Sequence, residues 1–223
     1  MKGAMSSTNS VLWQTISKYV FPTTTYHFNS GGEPDHIPDL SYQQLLDFYK
    51  GHYHPSNAVF MTFGDISAFD HQEKFHEQAL SHFEKLDINI EVKDEKRYLA
   101  PIVVEESYAS EESDKPQSHV VLAWLLGRST DLGELFRAEL VSSVLLDNSA
   151  SPLLRVLETS DLGSSPSPMC GLEDSNREMS MMVGLEGCTA ESSEAVEILI
   201  IKTLEDVVKN GIPYAQVEAS LHQ

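Results

Sequence analysis

The stretch HYHPSNA carries two histidines, His52 and His54, whose spacing could supply half of a metal site. In an extended chain the two imidazoles would lie on the same side and could bind one ion together. No third ligand follows at a suitable spacing. Pro55 instead biases His54 toward an extended backbone, and Asn57 suits a turn. We therefore predict that the pair belongs to a turn that leads into a strand.

A second group of histidines fails the spacing that zinc requires. Zinc needs three or four converging nitrogen, oxygen or sulfur ligands, and helical ligands stand at i and i+4. A match to H-E-x-x-H begins at His76 but has Leu80 in its fifth position. His76 and His82 would point about 240° apart around a helix, and His71 and His82 would lie about 16 Å apart along its axis. The inverted motif H-x-x-E-H fails after His71, because Lys74 occupies the glutamate position.

Other catalytic patterns are incomplete or absent from the sequence. In FRAEL, Glu139 has a phenylalanine and a leucine where the two imidazoles of a zinc motif would stand. Cys170 and Cys188 fit neither a C-x-x-C site nor a disulfide framework, which favours a reducing compartment. The phosphate-binding, serine-hydrolase and dinucleotide motifs do not occur. The residues alone therefore predict no catalytic residue and no metal ligand in this chain, and they leave the substrate-binding residues unknown.

The elements that would position such groups begin with helices. Leu12, Ile16 and Val20 form a helical stripe, and Ser41 with Gln44 forms a capping-box pattern ahead of a second helix. The predicted buried face of that second helix comprises Tyr42, Leu45, Leu46, Tyr49 and Tyr53.

A strand and a third helix are expected next. The continuous apolar run from Ala58 to Phe63, between Pro55 and Gly64, predicts a buried strand. The third helix should carry its apolar stripe at Phe75, Ala79, Phe83 and Leu86. From residue 88 to 118 the composition changes, with one or two strands predicted in INIEVKDEKRYLAPIVVEE before the polar segment SYASEESDKPQS. We place a connection between domains there.

Strands and helices also interleave in the second half of the chain. We predict a strand over 119–126, two helices after it, two strand-like stretches around 168–172 and in EMSMMVGLEG, and a helix from Ser192 to Asn210 that ends at Gly211. Pro213 opens a further helix. This pattern predicts an α+β fold.

Charge and hydropathy restrict the partners. The formal net charge is −19, from 34 acidic and 15 basic residues, which disfavours nucleic acid and an anionic membrane surface. The charge could attract basic peptides or could simply be a soluble acidic surface. No apolar run reaches the length of a membrane span, and no signal peptide opens the sequence. These features lead us to expect a cytoplasmic protein. Both ends look cut, so exposed surfaces could drive self-association.

The run from Tyr26 to Ile66, YHFNSGGEPDHIPDLSYQQLLDFYKGHYHPSNAVFMTFGDI, closely resembles the pitrilysin/insulinase zinc metallopeptidases, in particular the presequence-protease-like branch. The residues that carry this resemblance are Ser30-Gly31-Gly32, Ile37-Pro38-Asp39-Leu40, Tyr53-His54-Pro55-Ser56-Asn57 and Gly64-Asp65. The later LLDNSASPLLRVLE, with NGIP before the last helix, is similar to the next domain of the same family.

The resemblance implies consecutive domains of mainly antiparallel sheet with helices packed on one face, as in pitrilysin and the mitochondrial processing peptidase. It places the C-terminal part of a first domain, incomplete at its N-terminus, at residues 1–87. Connecting strands would occupy 88–118, and a second, non-catalytic domain 119–223. Ser30 to Gly32 would follow the metal-bearing segment, either as support near the chamber or as a simple tight turn.

The resemblance also implies a zinc held by two histidines of an inverted H-x-x-E-H motif and a distal glutamate, all upstream of Met1. The motif's own glutamate would activate water. The chain would then be an inactive part of a zinc-dependent metalloendopeptidase that degrades short unstructured peptides. Zinc would be bound by the full-length parent and not by this chain. The partners would be peptide substrates and the remaining domains of the same polypeptide. The alternative is a stand-alone, non-catalytic scaffold or peptide-binding module of the same fold.

Overall fold

The computed structural model describes residues 7–87, 90–109 and 116–222. The described chain separates into two compact units. The larger unit contains the residues up to Gly31 and those from Asp94 onward, and the inserted unit contains Gly32–Lys93. The predicted division at 1–87, 88–118 and 119–223 follows the family resemblance and stays a prediction.

The larger unit contains helices and antiparallel strands, whereas the described part of the inserted unit contains helices without strands. The helices are α1 (Thr8–Val20), α2 (Tyr42–His52), α3 (Ala68–Gln78), α4 (Leu132–Leu146), α5 (Pro152–Glu158), α6 (Ser193–Asn210) and α7 (Tyr214–Leu221). The strands are β1 (Ser118–Arg128), β2 (Ser165–Pro166), β3 (Gly171–Glu173) and β4 (Glu178–Cys188). The α+β fold predicted from the sequence is confirmed. None of the described helices combines the length and the apolar composition that crossing a bilayer demands.

Strand β4 organises the sheet of the larger unit. It pairs antiparallel with β1 along one edge and with β2 and β3 along the other. A Cβ atom added at Gly184 of β4 would lie 2.2 Å from the carbonyl oxygen of Val120, so β1 and β4 approach too closely for any side chain there. The strands predicted around 119–126 and in EMSMMVGLEG are therefore confirmed, with β1 reaching from 118 to 128.

The core of the larger unit lies between this sheet and helices α4, α5 and α6. Its buried members lie on β4 and at helical spacing in α5 and α6, with one from α4: Leu145, Leu153, Leu157, Val183, Leu185, Cys188, Val196 and Ile200. The carboxylate of Asp131 accepts hydrogen bonds from the amides of Gly133 and Glu134 and so begins α4. Gly211, with φ of 72°, ends α6 as predicted.

The inserted unit differs from its predicted packing. The capping box of Ser41 and Gln44 is present and opens α2 as predicted. The face of α2 predicted to be buried is instead exposed, with Tyr42, Leu45, Tyr49 and Tyr53 each more than half accessible. Indeed, no residue described within 32–93 is buried. The pattern correctly predicted an amphipathic helix, but the described chain contains no second layer of structure that buries its apolar face.

Two further predictions in this region are wrong. Residues 58–63 form no strand; they are exposed, and Phe63 is fully so. A strand requires a neighbour to accept and donate its backbone hydrogen bonds, and no described segment does so. The third helix ends at Gln78, so Phe83 and Leu86 lie beyond it.

The connecting segment also contains no strand where it is described. Residues 90–109 are irregular, while 88–89 lie outside the described residues. Polar side chains rather than a ladder hold this segment: the hydroxyl of Tyr98 donates to the carbonyl of Tyr19 at 2.9 Å, and the hydroxyl of Tyr19 donates to Glu106 at 2.6 Å. Side-chain hydrogen bonds to residues distant in sequence therefore hold this segment, instead of the strand pairing that its apolar pattern predicted.

Candidate functional site

The histidine pair lies where α2 ends and a short 3-10 turn, Pro55–Asn57, begins. His54 has an extended backbone, and its Nδ1 accepts a hydrogen bond from the amide of Ser56 at 3.1 Å. The Nδ1 of His52 lies 3.0 Å from the carbonyl oxygen of Phe48. The turn predicted from HYHPSNA is confirmed, although the chain that follows it is not a strand.

Both imidazoles also pack against aromatic rings. His52 stacks on Phe48 with ring centroids 3.9 Å apart, and His54 meets Phe83 edge to face at 5.1 Å. The side-chain amide of Asn57 donates to the carbonyl of His52 at 3.0 Å and closes the turn. These contacts give both histidines a structural role in shaping the turn.

The other candidate ligands are dispersed. His71 and His76 lie in α3, whereas His82 lies in a separate 3-10 turn. Within the ranges that the structure describes, no three His, Cys, Asp or Glu residues converge as metal ligands would. Glu139 lies in α4, between the phenylalanine and the leucine that replace the imidazoles.

The two cysteines are separate free thiols. The Sγ of Cys170 lies 3.4 Å from the carbonyl oxygen and 3.3 Å from the amide nitrogen of Gly184, and Cys188 is fully buried. Burial raises the pKa of both thiols, which disfavours the reactive thiolate form.

The glycine loop at Ser30 to Gly32 has the geometry of a tight turn. The amide of Gly31 donates to Oδ1 of Asn29 at 3.0 Å. Gly32 has φ of 84°, and a Cβ there would lie 3.1 Å from Cδ1 of Ile37. The backbone thus needs glycine at position 32.

A charged cluster in the larger unit was not anticipated from the sequence. Asp94 accepts hydrogen bonds from Nε of Arg128, at 3.0 Å to each carboxylate oxygen, and from Nε of Arg177 at 2.8 Å. The hydrogen bonds from Arg128 and Arg177 lower the pKa of Asp94 to about 2. Beside it, Nη2 of Arg97 lies 2.6 Å from Oε1 of Glu178, a carboxylate that is almost fully buried. The sequence showed only that the stretch KDEKR is densely charged. That charge density does not identify ion-pair partners that lie far away along the chain.

Two cavities lie in the larger unit. One of about 300 Å³ is bordered by Trp13, Met182 and the segment 168–173. The other, of about 250 Å³, is lined only by apolar residues: Trp124, Leu126, Ala138, Val141, Leu145, Leu153, Met181, Val183 and Leu204. The first cavity borders the thiol of Cys170 and the carboxylate of Glu173, whereas the second offers only apolar side chains.

The described residues therefore include an α+β unit with a helix-covered antiparallel sheet. The family profile described as "Peptidase M16 inactive domain" matches residues 39–223. The chain belongs to this family.

The relatives agree with that assignment. The chain is 37% identical over 228 residues to "Presequence protease, mitochondrial" of Xenopus tropicalis, covering 100% of this chain and 22% of that protein. It is 35% identical over 228 residues to the protein of the same name from Mus musculus, with the same coverage. It is 30% identical over 227 residues to "Protein HypA" of Clostridium perfringens, of which it covers 23%. The chain thus spans about a fifth of the length of these relatives.

Solved structures support the fold. A peptidase M16 inactive domain from Pseudomonas fluorescens superposes with a TM-score of 0.68 at 17% identity, covering 98% of this chain and 51% of that one. A protease from Helicobacter pylori gives 0.64 at 17% identity, covering 96% and 51%.

These findings support a metallopeptidase-related part, since relatives from Xenopus and mouse are named as proteases and the family as a peptidase family. Family membership suggests zinc in the full-length relatives, and no metal site is shown in the described part of this chain. The expected cytoplasmic location is wrong. The relatives from Xenopus and mouse carry the name of a mitochondrial presequence protease, which points to mitochondria.

Proposed function

We propose that this chain is a non-catalytic part of a zinc-dependent metalloendopeptidase that degrades short unstructured peptides. In this proposal the chain itself binds no zinc and cleaves nothing. Its family membership, with 37% identity along its whole length to a presequence protease, carries the proposal. The structural use of both histidines of HYHPSNA supports it.

The proposal gives the larger unit a supporting role. In the proposed enzyme, the sheet with its buried core on one side would form part of the wall around the peptide substrate. The metal ligands would come from other parts of the enzyme. The exposed apolar run 58–63 and the exposed face of α2 would be covered by further domains of the same polypeptide. The predicted division, with a first domain ending near 87 and a second over 119–223, belongs to the same proposal.

A chimera tests this role directly. The corresponding segment of the Xenopus tropicalis protein would be replaced by these 223 residues, and peptide cleavage and bound zinc would be measured. We expect the chimera to retain both, and the matched chimera carrying Gly184→Val to lose its fold. A chimera that folds with zinc bound but cleaves no peptide would contradict the supporting role.

Metal analysis of the purified chain tests the second half of the proposal. We expect no stoichiometric zinc after dialysis and no cleavage of an unstructured peptide. One tightly held zinc per chain, or cleavage that a chelator abolishes, would contradict it.

A stand-alone peptide-binding module is the second candidate, and the entirely apolar cavity of about 250 Å³ favours it. The module would bind fluorescently labelled unstructured peptides without cleaving them. Val141→Asp, at the exposed rim of the cavity, should then weaken binding. If the wild-type chain binds none of these peptides, the second candidate is excluded and the first proposal remains.

The net charge of −19 supports a preference for basic peptides in the intact enzyme. Such steering weakens as salt shortens the range of the field. Cleavage of a basic peptide should therefore slow at high salt relative to a neutral peptide of equal length, and equal salt responses would contradict the preference.

A further inference from the structure

The two connections of the inserted unit are fastened to each other by one carboxylate. The chain leaves the larger unit after Gly31 and returns at Asp94. Glu95, next to the point of return, accepts hydrogen bonds from the amides of Thr23 at 2.9 Å and Thr24 at 3.0 Å, and from the Thr23 hydroxyl at 2.5 Å. These contacts join positions 72 and 71 residues apart in sequence. We call Glu95, Thr23 and Thr24 the clasp.

The returning side of the clasp is fixed to the sheet. The amide of Glu95 donates to Oε2 of Glu178 at 2.5 Å, and Nη1 of Arg97 donates to the carbonyl of Glu95 at 3.0 Å. The same guanidinium donates through Nη2 to Glu178 and to the carbonyl of Leu126 in β1, both at 2.6 Å. The clasp is therefore anchored to β1 and β4 of the larger unit.

Burial makes the carboxylate of the clasp depend on hydrogen bonds from the protein. Glu95 is 5% exposed, so its charge has few water partners and depends on protein donors. Burial alone would raise the pKa of Glu95, but the hydrogen bonds from the hydroxyl and amide of Thr23, with those from Lys96 and Thr24, outweigh it and lower the pKa. The carboxylate is thus held as an anion whose donors come from both connections.

The inserted unit has no comparable reinforcement. None of its residues described within 32–87 and 90–93 is buried. A unit without buried apolar residues opens at low free-energy cost. Without a clasp, each opening of Gly32–Lys93 would leave a long flexible loop and loosen the ends attached to the larger unit.

We propose that Glu95 is a positioning residue: it holds the exit and return segments together, so that the inserted unit can open or move while the larger unit stays folded. The clasp closes the larger unit across the insertion. This role does not depend on the proposed peptidase function.

Amide hydrogen exchange on the whole chain tests the proposal. In the wild type, a peptide fragment containing Thr23 and Thr24 should stay protected while fragments of α2 exchange fast. Glu95→Gln removes the negative charge and should speed exchange at Thr23 and Thr24 roughly tenfold or more, while β4 stays protected. Exchange at these amides as fast as in α2 of the wild type, or unchanged by the substitution, would overturn the proposal.

A matched pair of threonine variants gives an independent result if Glu95→Gln fails to fold. The Thr23 hydroxyl donates to Glu95, whereas the buried Oγ1 of Thr24 has no hydrogen-bond partner among the described residues. Thr23→Val should speed exchange at the clasp, Thr24→Val should not, and Thr23→Ser should restore protection. Equal effects of the two valine variants would mean that packing, and not the carboxylate, holds the connections.

Discussion

Two apolar segments of this chain have similar residues and opposite surroundings. Strand β4 contains Met182 and Val183, which are 4% and 1% exposed, whereas the segment 58–63 contains Met61 and Val59, which are 91% and 97% exposed. Strand β4 has hydrogen-bonded neighbours on both edges, and the segment 58–63 has none in the described chain. An apolar composition therefore makes a segment suitable for a strand, but the strand forms only where neighbouring strands pair with its backbone.

The contrast bears on the proposed enzyme. If further domains of the same polypeptide cover the segment 58–63, substitutions in it should lower stability as substitutions in β4 do, but only in the longer protein. In this chain alone they should respond as surface residues do. The following predictions test that contrast, beginning with the largest expected effect.

Paired glycine substitutions should give opposite results. Gly184→Ala places a methyl group against the backbone of β1 and should destabilise the larger unit by about 3 kcal/mol. Gly51→Ala in α2 meets no atom within 4 Å and should stabilise its helix by up to about 1 kcal/mol. Urea denaturation followed by circular dichroism measures both. A tolerated Gly184→Ala would mean that β1 and β4 lie farther apart than described.

Paired valine substitutions compare burial directly. Val183→Ala should lower the free energy of unfolding by about 2 kcal/mol because it removes fully buried methyl groups. Val59→Ala should change it by less than about 0.5 kcal/mol, as at other exposed positions. Equal costs in denaturant titrations would show that the segment 58–63 is packed in the isolated chain, for instance in a self-associated form, which sedimentation would reveal.

Methionine oxidation should distinguish the segments without mutation. Under dilute peroxide Met61 should be oxidised well before Met182, because oxidation follows access to the sulfur. Mass spectrometry of proteolytic fragments measures the order. In a longer protein whose further domains cover the segment 58–63, Met61 should become resistant, and resistance already in this chain would contradict the exposure described.

The smallest effect is the pH dependence contributed by Asp94. Its pKa in the folded chain, about 2, lies below the ordinary value of 3.8, so it stabilises the larger unit above pH of about 4 and loses that contribution as the pH falls toward 2. Asp94→Asn should therefore weaken the fold at neutral pH and match the wild type near pH 2. Because the ion pairs are partly exposed, high salt should reduce the difference. A difference independent of pH would assign the effect to packing.

Local sequence rules predicted the elements whose causes are local. The capping box of Ser41 and Gln44, the extended His54 before Pro55, and Gly211 at the end of α6 all depend on residues a few positions apart. The partners of Glu95 could not be predicted in the same way. They come from a segment 72 residues earlier, and no periodic pattern marks them.

The sequence by itself determined which segments are apolar, where most helices begin and end, and that no motif for zinc or a nucleophile is complete. It did so because these properties arise from neighbouring residues and their spacing. Only the tertiary structure decided that β4 is buried while the segment 58–63 is exposed, and that Glu95 joins both connections of the inserted unit. Burial and long-range hydrogen bonds depend on what the folded chain brings alongside a residue, and composition alone does not contain that information.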